Sequence, residues 1–282
     1  MRIAFFALAL AGCGASPAVQ MPASQPSAAK ADTGIAVAPP LVAVGEHMTY
    51  KLELQGVELA SFEIAVGADE NHELPGSVIV QSHAKAVGLV QMVANIDDTF
   101  TSWIDVKTGR PLRWLTDEYA TKSSDKERTV VDFAKRSGTT VPVAFHVNDQ
   151  PPKDEPQTVS LPDVWDLDSF MVALRTWSPA PGSTIAVEAF RSRYMWHIDM
   201  TVHGKDHLET ALGELPAIRL DGHTYKLDRN GQKTGDDARD FSVWISDDDS
   251  HVPLQTVAKT DYGDVKMTIT DYQPGSGKPL RP

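Results

Sequence analysis

The sequence predicts a mainly β fold, with antiparallel curved sheets in a half-barrel or a sandwich and one principal helix near residues 164–177. After residue 41, apolar and polar residues alternate in several segments, as is typical of strands with one buried and one wetter face. Turn sequences such as Asn230-Gly231 separate these segments. One long stretch has the spacing of a helix instead.

The alternating segments occur in both halves of the chain and predict its strands. Their apolar positions are Tyr50, Leu52 and Leu54; Phe62, Ile64 and Val66; Tyr194, Trp196, Ile198, Met200 and Val202; and Val265, Met267 and Ile269. Residues 85–95 are apolar without a clear period, and we predict a strand there as well.

The helix is predicted by apolar residues three and four positions apart on one face. These residues are Leu167, Phe170, Met171, Leu174 and Trp177. Asp163 or Asp166 is placed to cap the start of the helix, and Pro179 to end it. Trp165 and Trp177 flank the helix, and we expect them to close a core rather than to bind a ligand.

Two hairpins of similar design indicate an internal repeat. Trp103-Ile104-Asp105 leads through a turn to Pro111-Leu112-Arg113, and Trp244-Ile245-Ser246 leads to Pro253-Leu254-Gln255. We interpret residues 41–273 as a β-rich globular domain with two meander halves, 41–148 and 183–273, joined by a helical segment. A coincidence of two hairpins is the alternative, because strand–turn–proline–strand sequences are common.

The first residues have the layout of a secretory signal peptide. Arg2 and a short apolar run precede Leu10-Ala11-Gly12-Cys13. That tetrapeptide resembles the bacterial lipobox, in which the cysteine is acylated, for example with palmitate, and becomes the new N-terminus. We therefore predict a signal peptide over residues 1–12 and a lipid on Cys13, the one cysteine of the chain. An ordinary signal peptide that happens to contain a cysteine is the alternative.

Several acyl chains, as the resemblance implies, would anchor the protein stably in a membrane. Residues 13–40 are rich in proline, alanine and serine, and we predict that they comprise the lipidated cysteine and a disordered tether. Residues 274–282 are predicted to form a flexible tail. Gly14 favours the outer membrane, with the domain facing the periplasm. The formal net charge of −12 argues against nucleic acid as a partner and against direct docking on anionic lipid.

The sequence predicts no catalytic, cofactor-binding or metal-binding residues. His197, His203 and His207 form the densest histidine group, but the first two are six strand positions apart, roughly 20 Å. The acidic residues 228–237 and 247–249 are better explained as turns than as calcium sites. Motifs of nucleophilic catalysis and of nucleotide binding are absent from the sequence.

A series of short motifs resembles the bacterial domain-of-unknown-function 3108 family over about residues 42–273. The motifs, in order, are Gly45-Glu46-His47-Met48-Thr49-Tyr50, the Trp103 hairpin, Asp168-Ser169 with Leu174-Arg175, Gly182-Ser183-Thr184, residues 202–209 and the Trp244 hairpin. This resemblance implies a β-rich envelope protein and brings no known catalytic residues. The Trp103 hairpin is also similar to one in LolA/LolB-like envelope carriers, where a curved sheet encloses an apolar cavity.

These observations favour an envelope-anchored lipoprotein that binds an apolar or envelope-derived ligand without catalysis. A hydrolase acting on envelope polymers and a structural partner of an envelope complex are the alternatives. A continuous apolar cavity would favour the binding protein, and a cleft with convergent carboxylates or histidines would favour the enzyme. A closed core with an exposed apolar patch would favour the structural partner.

Overall fold

The computed structural model describes residues 34–92, 96–119, 125–177, 180–235 and 238–275. The predicted signal peptide, Cys13 and most of the predicted tether lie outside these residues. So do Pro179 and residues 276–282 of the predicted tail. Within the described part of the chain, no helix is long and apolar enough to cross a membrane.

The described residues form seventeen strands and one α-helix, with short 3-10 segments at Gly88–Met92 and Phe133–Lys135. The elements are β1 (Glu46–Leu54), β2 (Val57–Ala68), β3 (Ser77–Ala86), β4 (Asp97–Asp105), β5 (Pro111–Tyr119), β6 (Lys126–Asp132), β7 (Thr140–Val141), β8 (Val143–Val147), β9 (Lys153–Asp154), β10 (Gln157–Thr158), β11 (Val164–Asp166), α1 (Leu167–Thr176), β12 (Thr184–Arg191), β13 (Tyr194–Thr210), β14 (Gly213–Lys226), β15 (Arg239–Ser246), β16 (Pro253–Thr260) and β17 (Gly263–Pro274).

Fifteen of these strands make one curved sheet, in the order β11-β12-β13-β14-β15-β16-β17-β1-β2-β3-β4-β5-β6-β8-β9. Neighbours along the chain are mostly neighbours in the sheet, and pairing of β17 with β1 joins the two meanders. All pairs are antiparallel except β11 with β12, which is parallel. The predicted mainly β fold is confirmed, and the sheet is a half-barrel because it does not close on itself.

The two Trp-Ile hairpins share an irregularity at the same position of the motif. The register shifts between Trp103 and Ile104 in one hairpin and between Trp244 and Ile245 in the other. Each isoleucine then lies opposite the proline of the returning strand, Pro111 or Pro253. A β-bulge bends its strand and increases the local twist, so the paired bulges curve both halves of the sheet in a similar way.

Helix α1 lies inside the curve and packs on both halves of the sheet. Val172 belongs to an apolar cluster with residues of β1–β4 and β17, whereas Phe170, Ala173 and Leu174 belong to a second cluster with residues of β12–β15. A third cluster joins Trp114 of β5 to Phe190 of β12. The two ends of the open sheet are therefore bridged by side-chain packing.

Two sequence predictions about these elements need correction. The helix begins at Leu167, not at residue 164, because the residues before it pair with β12 and Asp166 caps the first turn. The strand predicted over 85–95 ends at Ala86. Gly88 follows with a φ of +56°, a left-handed conformation that a strand does not contain, and a 3-10 turn begins there.

Ile35, near the end of the predicted tether, packs against the domain. Ile35 is 2% exposed and belongs to the cluster that contains Trp165. Arg110 donates from Nη2 to the carbonyl oxygen of Ile35 at 3.2 Å, pairs with Asp163 at 2.9 Å and stacks on Trp165 at 4.4 Å. Ile35 thus contacts the domain from within the segment predicted as a tether.

Candidate functional site

Two small apolar clefts flank the first turns of α1 and share Leu167, Met171 and Arg191. The larger cleft, about 40 Å³ in volume, lies between α1 and β12–β15 and reaches Trp196 and Phe241. The smaller cleft, about 30 Å³, lies between α1 and strands β2–β4 and β17. We call the two together the helix clefts.

Leu167 and Met171 face the helix clefts because of where they lie on α1. Residues four positions apart share one face of a helix, and this face borders the second apolar cluster, against which the partly buried Met171 packs. Both side chains are only partly buried, whereas Phe170, Val172 and Leu174 are buried. The predicted buried face is therefore confirmed for Phe170 and Leu174, which are core residues, whereas Leu167 and Met171 are half-buried and line the helix clefts.

The size of the helix clefts limits what they hold in this conformation. A water molecule needs roughly 10–15 Å³ measured in this way, and a cavity that binds benzene has about 150 Å³. The helix clefts therefore have room for a few waters. A larger guest requires the side chains of Leu167 and Met171 to rotate, and methionine is the residue best suited to such adjustment because its chain is unbranched and flexible.

Asp166 is a buried carboxylate whose two oxygens are both engaged. Oδ1 accepts a hydrogen bond from the backbone N–H of Ser169 at 2.8 Å, which caps the helix, and Oδ2 accepts one from the Ser102 hydroxyl at 2.8 Å. Burial raises the pKa of Asp166 to about 6, against the opposing effect of these hydrogen bonds. Its role is to fix the start of α1 against β4.

Asp168 is the one acidic residue that lines the smaller cleft. It is 5% exposed, and its Oδ1 accepts a hydrogen bond from the Ser82 hydroxyl at 2.8 Å. Its Oδ2 has no hydrogen-bond partner among the described residues. Burial, and then the charge of Asp166, raises the pKa of Asp168 well above its usual value. The site therefore favours the protonated, uncharged carboxyl group.

The other end of α1 is held by a buried ion pair. Arg175 pairs with Glu46 of β1, and its Nε donates to the carbonyl oxygen of Ser250 at 2.9 Å. The Tyr272 hydroxyl donates to Glu46 at 2.9 Å, and burial together with the Glu46 charge raises the pKa of that tyrosine. These contacts fix the helix inside the sheet, away from the helix clefts.

The histidines and the acidic turns carry ordinary structural contacts. His197 stacks on Tyr225 with 4.8 Å between ring centres, and His203 lies 3.1 Å from an oxygen of Asp221. Asp228 and Asp248 accept hydrogen bonds from backbone N–H groups of their own turns. Among the described residues, no three His, Cys, Asp or Glu side chains converge as metal ligands would.

The buried polar residues of this site are not among the residues predicted from the sequence. In β3 the buried positions are Val78, Val80, Ser82, Ala84 and Ala86. Ser82 is thus a polar residue in an apolar series, and Ser102 is likewise fully buried in β4. A hydroxyl at such a position needs a buried partner, and this was the available signal for Asp166 and Asp168.

Comparison with known proteins identifies one family and a shared fold. The model of a family described as proteins of unknown function, DUF3108, matches residues 47–270. A β-barrel-like DUF1849 protein from Brucella abortus is 8% identical, with a TM-score of 0.53 over 82% of this chain and 98% of that one. The hypothetical lipoprotein YmcC from Escherichia coli is 11% identical, with a TM-score of 0.31 over 82% and 85%. No curated protein matches the chain.

Proposed function

The chain belongs to the DUF3108 family of proteins of unknown function, and from that premise we propose that it is a lipid-anchored envelope protein that binds an apolar ligand at the helix clefts. The observation that carries the proposal is the position of Leu167 and Met171. Both side chains are only half-buried and line the helix clefts, and Met171 also packs against the second apolar cluster.

Apolar side chains inside a domain normally pack without gaps, because voids lose dispersion contacts. The helix clefts are gaps of this kind between α1 and the sheet. Concave, mostly apolar sites with few polar groups are the usual form of small-molecule sites. An apolar guest that displaces the few waters of the helix clefts would restore the missing contacts.

The ligand-binding proposal is tested with a neutral hydrophobic fluorescent probe, phenylnaphthylamine. We use the non-acylated Cys13→Ala chain, which retains every described residue and needs no detergent. The probe is expected to bind saturably, and Met171→Trp, which fills the space between the two clefts, should weaken binding at least ~10-fold. Val57→Trp is the matched control, since Val57 is 61% exposed on the sheet surface. Absence of saturable binding by the folded chain would reject the proposal and favour a structural partner.

The anchoring proposal rests on the lipobox-like Leu10-Ala11-Gly12-Cys13 and on the acidic balance of the chain. An acidic body has no affinity of its own for anionic lipid, so the lipid on Cys13 would supply the membrane attachment, in the outer membrane with the domain facing the periplasm. Cys13→Ala should move the protein from the membrane fraction to the soluble fraction. A variant that stays with the membranes after a high-salt wash would contradict this anchoring.

A further inference from the structure

We propose that Asp168 is the polar recognition group of the helix clefts and that the ligand is a single-chain amphiphile with an uncharged hydroxyl- or carbonyl-bearing head. This inference rests on the proposed function and adds the class of ligand. The head would bind at Oδ2 of Asp168 in the smaller cleft, and the hydrocarbon chain would cross Leu167 and Met171 into the larger cleft.

The first support is the state of the Asp168 carboxyl group. Oδ1 accepts a hydrogen bond from the Ser82 hydroxyl, whereas Oδ2 has no partner among the described residues. Asp168 is nevertheless only 5% exposed. Buried polar atoms are nearly always hydrogen-bonded, to protein, to water or to a ligand. Oδ2 is itself buried, in a residue that lines the smaller cleft, so a guest that enters this cleft by displacing the neighbouring side chains is its available partner.

The second support is the apolar character of the other lining residues. The smaller cleft is otherwise formed by Phe62, Ile64, Phe100 and Met267, together with the Leu167–Met171 face, Ser82 and Arg191. The Ser82 hydroxyl already donates to Asp168. Arg191 is likewise engaged within the protein. A ligand therefore meets a mostly apolar surface in which Asp168 holds the unpaired oxygen, and this matches a molecule with one small polar head and one apolar chain.

The third support is the charge around Asp168, which selects an uncharged head. Asp166 lies two positions away, fully buried, and its negative charge opposes an anionic head as well as the ionised form of Asp168. A cationic head would require Asp168 to lose its proton in apolar surroundings, which burial disfavours. A protonated carboxyl offers one O–H donor and an acceptor oxygen, the complement of an alcohol or an ester carbonyl.

The shape of the helix clefts selects a single chain. The larger cleft continues from Leu167 and Met171 to Phe170, Trp196 and Phe241, and it contains about 40 Å³ before any side chain moves. Rotation of the flexible Met171 side chain would enlarge this cleft. A second hydrocarbon chain would have to displace Phe170, Ala173 or Leu174, which are packed in an apolar cluster.

The test measures displacement of phenylnaphthylamine from the Cys13→Ala chain by four ligands of equal chain length: monoolein, octadecene, oleate and oleylamine. Monoolein is expected to bind about 10-fold more tightly than octadecene, the factor that one neutral hydrogen bond supplies, and more tightly than both charged ligands. Asp168→Leu should remove this preference, so that monoolein and octadecene displace the probe equally well. Asp168→Asn, which keeps a donor and an acceptor, should retain it.

A second measurement keeps the proposal testable if Asp168→Leu does not fold. The infrared carbonyl band of protonated Asp168, identified by its loss in Asp168→Asn, should shift when monoolein binds and stay in place with octadecene. Probe binding together with equal affinities for monoolein and octadecene, or with preference for oleate or oleylamine, would overturn this inference and leave the proposed function intact. Failure of the folded chain to bind any of these compounds saturably would overturn both.

Discussion

Arg175 and Glu46 form a buried two-pronged ion pair that joins the last turn of α1 to the first strand of the sheet. Nη2 of Arg175 lies 2.9 Å from Oε1 of Glu46, and Nη1 donates to Oε2 at 3.1 Å. The two residues are 129 positions apart in the chain, and their side chains are 4% and 1% exposed. This pair fixes α1 against the junction where β17 meets β1.

Removal of one partner of this pair should destabilise the protein strongly. Glu46→Gln leaves the Arg175 charge buried without a counter-charge, and loss of one partner of such a pair costs about 3–5 kcal/mol. The double variant Glu46→Leu/Arg175→Met should recover much of that loss. Urea unfolding measures both, with Lys51→Gln as control: the Lys51–Glu53 pair is on the surface, and its loss should cost about 1 kcal/mol or less. Equal losses at Glu46 and Lys51 would contradict the structural role given to this pair.

The two sides of α1 should respond differently to truncation. Leu174 is fully buried, so Leu174→Ala should lower the free energy of unfolding by about 2–5 kcal/mol. Met171→Ala should cost clearly less, because its side chain already faces the helix clefts. Denaturation midpoints of the two variants test the assignment. Equal losses would mean that Met171 is a core residue.

The sequence predicts the strands and the helix well where the signal is local. Alternation of Tyr50, Leu52, Phe62 and Ile64 reflects burial on one face of the sheet, and all four residues are buried. The β17–β1 junction and the parallel pairing of Val164–Asp166 with β12 depend on contacts between distant segments. No short-range pattern encodes these pairings. A three-residue strand that leads directly into a helix is too short for an alternating pattern to distinguish it from the helix.

The candidate site was predictable only in its apolar part. The spacing of Leu167 and Met171 marks them as members of an apolar helix face, but the curvature of the sheet decides whether that face is packed or open. Asp168 is an ordinary residue for the first turn of a helix, where acidic side chains are favoured. Its burial depends on Ser82, 86 positions earlier, so the sequence around the helix gave no indication of it.

Arg110 should control how firmly residues 34–40 are held on the domain. It contacts Asp163, the Ile35 carbonyl oxygen and the Trp165 ring, and a planar guanidinium alone makes all three contacts well. Arg110→Ala should therefore speed protease cleavage within residues 34–40, and Arg110→Lys should do so in part. Arg128→Ala, at a surface pair with Asp117, should leave cleavage unchanged. The same cleavage rate in all variants would show that Ile35 stays docked without Arg110.

The buried carboxyl of Asp168 should make the protein less stable as the pH rises. Its pKa is raised in the folded state, so its stabilising contribution is fully present below the unfolded value near 3.8 and is lost as the pH rises through the folded pKa. The pKa of Asp166 is raised to about 6, so this residue also lowers the stability as the pH rises. Asp206 acts in the opposite direction, because a hydrogen bond from the Trp244 indole lowers its pKa.

The difference between wild type and Asp168→Asn isolates Asp168 from these other groups. The amide does not titrate, so the free energy of unfolding of the variant should increase relative to that of the wild type as the pH rises above about 4. The increase is up to about 1.4 kcal/mol per pH unit. Urea unfolding at intervals between about pH 4 and pH 8 measures this difference. Since both proteins retain Asp166, Asp206 and the other carboxylates, their contributions largely cancel. A difference that stays constant across the range would mean that the fold does not hold the proton on Asp168, and the uncharged hydrogen-bonding site in the helix clefts would lose its physical basis.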